Sequence, residues 1–138
     1  MKYLGIDYGE KRVGVAVSDD AGRVAFAKAT LPNDRMLMTT VTDLLADGVE
    51  VVIGESKAPS GADNPIMVKA RAFAAELERA GYVVHWEPEY YTSVEARRNA
   101  AEVGASTAFV DAEAAAIILT SYLNRINGLS DSDPHDNA

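Results

Sequence analysis

The sequence contains no cysteine. Disulfides, thiolate metal centres and a cysteine nucleophile are excluded, so any chemistry rests on oxygen and nitrogen groups. Histidine is almost as scarce. His85 lies within a strand-like run and His135 in the polar C-terminal segment. Neither sits in an arrangement that reads as a nucleophilic triad, and a core or solvated role fits each better. No apolar run approaches the roughly 18 residues of a membrane-spanning helix. The apolar stretch at the N-terminus is interrupted by Asp7, unlike a secretory signal. A cytoplasmic location with no membrane partner is the expectation. Positive charge is also short, with 13 Lys and Arg against 21 Asp and Glu and a net charge of −8. Tight nonspecific binding to nucleic acid rests on cations neutralising phosphates and is disfavoured. A local basic face is not.

What is present describes one domain of modest core. Of 138 residues, 48% are apolar and 25% charged, ordinary values for a globular chain. The first twenty residues organise the rest. An apolar run (Tyr3, Leu4, Ile6) ends on Asp7, a Gly-containing turn follows, and a Val-rich run (Val13, Val15, Val17) leads to Ser18-Asp19. That is a hairpin with a carboxylate near the end of its first strand. A third strand is expected over 23–29, with Val24 and Phe26 sharing a face. Leu31-Pro32-Asn33-Asp34 then breaks into a helix carrying Leu37, Val41, Leu44 and Leu45 and stopped by Gly48. The run 49–54 reads as a strand buried on both faces, hence parallel and covered by helices. A polar loop leads to Asn64-Pro65, an N-cap followed by proline. The helix expected over 65–80 carries Val68, Ala72, Phe73, Ala75 and Leu77 and stops at Gly81. A fifth strand over 82–86 ends in Glu87-Pro88-Glu89. Thr92 and Glu95 have capping-box spacing for a helix to about Val103. The last helix, from about Val110 to Asn127, buries Ala114, Ala115, Ile118 and Tyr122. The expected fold class is α/β, a five-stranded mixed sheet whose first three strands are antiparallel, with helices on both faces. The domain spans 1–128, and 129–138 reads as a disordered acidic tail.

Three acids share a placement in this order of elements. Asp7 is near the end of strand one, Glu89 follows strand five, and Asp111 opens the last helix. Ligands of such sheets gather at strand ends, where loops converge. Carboxylates meeting there would repel one another without a cation. Mg²⁺ or Mn²⁺ prefers hard oxygen ligands, and a pair of such ions is a standard means of hydrolysing a phosphodiester. A plainer reading is equally open at this point. Asp7 caps a turn, Glu89 is a solvated loop acid and Asp111 favours a helix N-terminus. The spacing alone does not bring the three together.

The run from Leu4 to Asp19, LGIDYGEKRVGVAVSD, resembles the opening of the YqgF/RuvX family. These are RNase H-like proteins named both as Holliday junction resolvases and as pre-16S rRNA nucleases. Thr92-Ser93-Val94-Glu95-Ala96 resembles the family's segment after its second acid. The run 111–123, DAEAAAIILTSYL, resembles its final helix. The resemblance covers residues 2 to about 124. It implies an RNase H-like fold and a Mg²⁺- or Mn²⁺-dependent nuclease site of Asp7, Glu89 and Asp111, with Asp7 suited to bridge two ions. The implied activity is cleavage of structured nucleic acid, first of all at the 5′ end of pre-16S rRNA. Junction resolution is the alternative, and a binding or scaffold role without turnover another. Monomer and homodimer both remain open.

Three departures from the family pattern bear on that reading. Where the family has Asp-Glu-Arg at the second acid, this chain has Pro88-Glu89-Tyr90. The usual basic stretch before the third acid is the short, neutral run 105–110. The loop after strand four opens Gly54-Glu55-Ser56 rather than Gly-x-Pro, which raises Glu55 as an extra ligand or a solvated acid. The first two departures remove positive charge. Lys11, Arg12, Lys57, Arg97 and Arg98 are the cations left to meet nucleic acid, and weak, salt-sensitive binding is expected. An actin-like or sugar-kinase-like ATPase also opens with Asp-x-Gly, but those proteins need two such domains.

Overall fold

The computed structural model describes residues 1–56, 60, 64–89 and 107–128, with the side chains at 89 and 107–110 outside that description. The expected helix after Thr92 and the expected disordered tail lie outside the described residues. The elements run β1 (Tyr3–Tyr8), β2 (Arg12–Ser18), β3 (Ala25–Pro32), α1 (Leu37–Leu44), β4 (Glu50–Ser56), α2 (Met67–Arg79), β5 (Val84–Glu89) and α3 (Thr107–Ile126).

The strands form one sheet in the order β3-β2-β1-β4-β5. β1–β2 and β2–β3 are antiparallel, and β1–β4 and β4–β5 are parallel. The hairpin therefore places β1 at the centre. Leu4 and Ile6 on one of its faces are completely buried, and so are Val51 and Ile53 of β4 beside them. They pack with Leu37 and Val41 of α1 and Phe73 and Leu77 of α2. The other face carries Tyr3, Ala16 and Val52 under Ala115, Ile118, Leu119 and Tyr122 of α3. Helices thus cover both faces, as the near-continuous apolar strands require.

Several boundaries differ from the sequence expectation. β3 runs through Leu31 and Pro32, which pair with Val13 and Arg12, so the helix break comes later. Proline is tolerated there because β3 is an edge strand. Phe26, also on that edge, is 54% exposed. Asn64 does not cap α2. Its amide donates to Ser56 Oγ, and α2 begins at Met67. The buried face of α2 is Met67, Ala70, Phe73, Ala74 and Leu77, while Val68 points to solvent at 74% exposure. Val68 is about 180° around the helix from Leu77, so the two stand on opposite faces. β5 extends to Glu89, making that acid the last strand residue rather than a loop residue beyond the strand. α3 starts at Thr107, so Asp111 stands in its second turn.

Candidate active site

β1, β4 and β5 are parallel, so their C-terminal ends share one edge of the sheet. The β1–β2 turn lies on the same edge. β1 has an antiparallel neighbour on one side and a parallel one on the other, and open α/β sheets collect ligands at such a change of direction. A groove of 530 Å³ opens there, with Asp7, Glu10, Gly54, Ser56, Asn64 and Lys69 in its lining.

Strand alternation fixes the face on which Asp7 stands. Tyr3 belongs to the cluster under α3. A side chain at Gly5 would strike Leu119 and Ala115 of α3. Asp7, two residues on, projects to the same face and is 7% exposed. Its register partner on β2 is Gly14. A Cβ at Gly14 would lie 1.9 Å from the carbonyl oxygen of Asp111 and 2.4 Å from its carbonyl carbon. The Asp111 backbone is therefore seated on Gly14, which in turn lies directly across from Asp7, about 5 Å away between Cα atoms. Hydrogen is the only substituent that lets α3 come this close.

The side chain of Asp111 is held from β2 as well. Arg12 Nε donates to Asp111 Oδ2 at 2.7 Å. Being in the second turn, Asp111 is beyond the first-turn amides that an N-terminal acid would satisfy. Its partner is a guanidinium from the opposite end of the chain.

The far end of α3 is anchored in a similar way. Glu87 is buried on the α3 face, paired in register with Gly54. It accepts from Ser121 Oγ at 2.7 Å and from Arg125 Nε at 3.1 Å. Those bonds occupy a carboxylate two residues before Glu89. His85 bonds Glu50 at 2.6 Å and packs against Tyr122, which makes it a half-buried structural group.

Of the sequence-predicted residues, Asp7 lines the groove, and the Asp111 backbone is seated on Gly14, the strand partner of Asp7. The Glu89 backbone pairs with Ser56 at the same edge, but its side chain lies outside the described residues, as do Lys57, Arg97 and Arg98. Lys11 is exposed on the β1–β2 turn. Glu55 alternates with Val51 and Ile53 onto the α2 face, where Arg71 lies 3.9 Å away. It stands on the side of the sheet opposite Asp7. Two contributors were missed from sequence. Gly14 carried a signal, since a glycine inside a strand often marks close backbone approach. Lys69, on the rim of the groove and 61% exposed, carried none without the topology.

The donors gathered here are carboxylates, the Ser56 hydroxyl and backbone carbonyls beside a groove open to water. No histidine is among the lining residues, and the sulfur there is the Met67 thioether, which accepts from the Ser56 backbone N–H. An all-oxygen set of few protein ligands with room for water suits Mg²⁺ or Mn²⁺ and suits zinc poorly. Among the described residues no three such side chains form a complete ligand group.

Comparison with known proteins decides the family. The model of RuvX, described as Holliday junction resolvase, matches residues 1–125. The chain belongs to the RuvX family. A Burkholderia multivorans protein named "Putative pre-16S rRNA nuclease" is 38% identical over 141 residues, covering 96% of this chain and 93% of its own. A Cupriavidus necator protein of the same name is 38% identical over 127 residues, covering 88% and 87%. Among solved structures, T. thermophilus RuvC in complex with a Holliday junction substrate matches 93% of this chain and 96% of its own, with TM-score 0.54 and 17% identity. That likeness concerns the fold, an RNase H-like α/β sheet. The RuvX chain described here is thus a member of a nuclease family. Among its described residues no helix is long and apolar enough to cross a membrane.

Proposed function

We propose that this RuvX protein hydrolyses phosphodiester bonds in structured RNA, at the 5′ end of pre-16S rRNA, using divalent ions held by Asp7, Asp111 and Glu89. The observation that carries the proposal is the seating of Asp111 on Gly14, across from the buried carboxylate of Asp7. That seating supports joint action of two acids from distant parts of the chain at one strand end. Mg²⁺ or Mn²⁺ at this site would supply an activated water and stabilisation of the leaving oxygen.

The chain's own residues do the rest. Asp7, buried on the central strand between β2 and β4, would be the carboxylate suited to serve two ions. Glu89, at the end of β5, completes the set from the other side of β4. Lys69, which lines the groove 3.6 Å from Glu10, and Lys11 on the β1–β2 turn would meet backbone phosphates, with Lys57, Arg97 and Arg98 as further candidates. With a net charge of −8 the affinity for nucleic acid should be modest and fall steeply with salt. The choice of RNA follows the names of the 38% identical relatives. The family description favours a second substrate, a four-way DNA junction, whose symmetry calls for a homodimer, whereas RNA processing is open to a monomer.

The test is cleavage of a labelled pre-16S 5′-leader transcript and of a synthetic four-way junction, each with Mn²⁺, by the wild type and by Asp7→Asn. Cut RNA with wild type alone is the expected result. Equal residual activity in both proteins sinks the nuclease site, and cleavage confined to the junction transfers the assignment to resolution.

A further inference from the structure

Arg12 and Asp111 are ninety-nine positions apart in sequence, yet their side chains meet at 2.7 Å. The meeting is a product of the fold. Arg12 opens β2 two residues before Gly14, so alternation puts it on the face that Gly14 shares with α3. Gly14 receives the backbone of Asp111 and Arg12 receives its carboxylate. The two partners differ in solvation, the arginine side chain being 46% exposed and the aspartate 15%. The mostly buried acid is supplied with a cation by a residue that keeps access to water.

We propose that Arg12 is an internal stand-in for the divalent ion. It neutralises Asp111 in the metal-free protein and must leave Oδ2 when an ion is bound, so that it weakens metal loading. The inference rests on the reading of Asp7 and Asp111 as metal ligands. A carboxylate oxygen engaged by a guanidinium N–H offers less of its charge to a second cation, and two cations crowded on one carboxylate repel. Exchange is inexpensive because the released guanidinium swings into water, and Asp111 is never left buried without a counter-charge. It also divides the basic residues of the site. Arg12 is engaged with Asp111, whereas Lys11 beside it is exposed and outside that pair.

The experiment is a Mn²⁺ titration followed by the electron paramagnetic resonance signal of the free ion, at fixed ionic strength. The proteins are wild type, Arg12→Gln, Arg12→Lys, Lys28→Gln and Asp7→Asn. Lys28 is an exposed cation on β3 and controls for loss of one positive charge. Arg12→Gln should bind Mn²⁺ about fivefold more tightly than wild type, the scale of one partly exposed ion pair. Arg12→Lys should fall between them, and Lys28→Gln should match wild type. Equal or weaker binding by Arg12→Gln overturns the inference, and so does an equal gain from Lys28→Gln. If Arg12→Gln does not fold, Arg12→Lys decides alone, and no gain in that variant overturns the inference too. Failure of the ligand reading looks different. There wild type binds no Mn²⁺, or Asp7→Asn binds it as wild type does, and both ideas fall together.

Discussion

Replacing Gly14 with alanine is the sharpest perturbation available, because it adds one methyl group where the fold leaves no space for it. The new Cβ would lie 1.9 Å from the Asp111 carbonyl oxygen, 2.4 Å from its carbon and 3.1 Å from the Ala112 nitrogen. Carbon contacts relax at about 3.5–4.0 Å, so α3 must withdraw by roughly 1.5 Å at this point. β2 cannot yield instead. It is paired on both edges, and Val13 and Val15 are completely buried on its other face. The clash is with backbone, which no rotamer change relieves. The cost belongs at the upper end of overpacking, about 3 kcal/mol, or roughly 10 °C in melting temperature for a chain of this size. Displacement of Asp111 by about 1 Å should also lower cleavage about a hundredfold. Gly5→Ala is the graded control. Its Cβ would lie 2.8 Å from Leu119 Cβ and 3.1 Å from the Ala115 oxygen, a milder conflict under the middle of the same helix. Circular dichroism melts and Mn²⁺ titration read the two effects separately. A Gly14→Ala protein that melts within about 2 °C of wild type and binds Mn²⁺ unchanged would refute the seating of α3 on β2.

Arg125→Ala leaves the buried Glu87 carboxylate with Ser121 as its remaining described donor, and should cost about 2 kcal/mol in urea denaturation. The double replacement Glu87→Met with Arg125→Met should cost less than that single one, since it leaves no buried charge. Asp19 accepts from the backbone N–H groups of Arg23 and Val24 at 2.8 and 3.1 Å, and those bonds hold its carboxyl below the ordinary value. A lowered pKa stabilises the fold above the ordinary carboxylate range, and the contribution is lost as pH falls through the folded value. Asp19→Ala should therefore melt lower than wild type at neutral pH, and the two melting curves should converge in acid.

The hairpin, the parallel pairing at β4 and the position of Asp7 near a strand end were legible because each leaves a local mark. Val-rich alternation, a two-sided apolar run and an acid after a strand all depend on neighbours in sequence. What was not legible depends on neighbours in space. The end of β3 was misplaced because Leu31-Pro32 looks like a break, and only pairing with Arg12 and Val13 makes it strand. The face of α2 was misassigned because apolar residues occur around most of its circumference, and the sheet selects Met67, Phe73 and Leu77. Asp111 looked like a helix-opening acid, and its role changed once α3 began four residues before it. Glu87 looked like the approach to Glu89, whereas its partners come from α3.

The polar contacts at the two ends of α3 answer a difficulty that its sequence creates. The helix approaches the sheet through Ala112, Ala114 and Ala115, above Gly5 and Gly14. Small residues on both sides allow close approach, but they interlock little. A slip of one residue would move the helix about 1.5 Å and turn it about 100°, enough to carry Asp111 away from Asp7. Leu119 and Leu123, both fully buried, resist rotation through the middle and the C-terminal half of the helix. Arg12 at one end and Glu87 at the other add directional bonds to residues of two different strands. A bond of that kind is made in one register and lost in the next. The pair at the Asp111 end then has a double consequence. It fixes where the carboxylate stands, and it places a cation on the oxygen that a metal needs, so the contact that builds the site also opposes its loading.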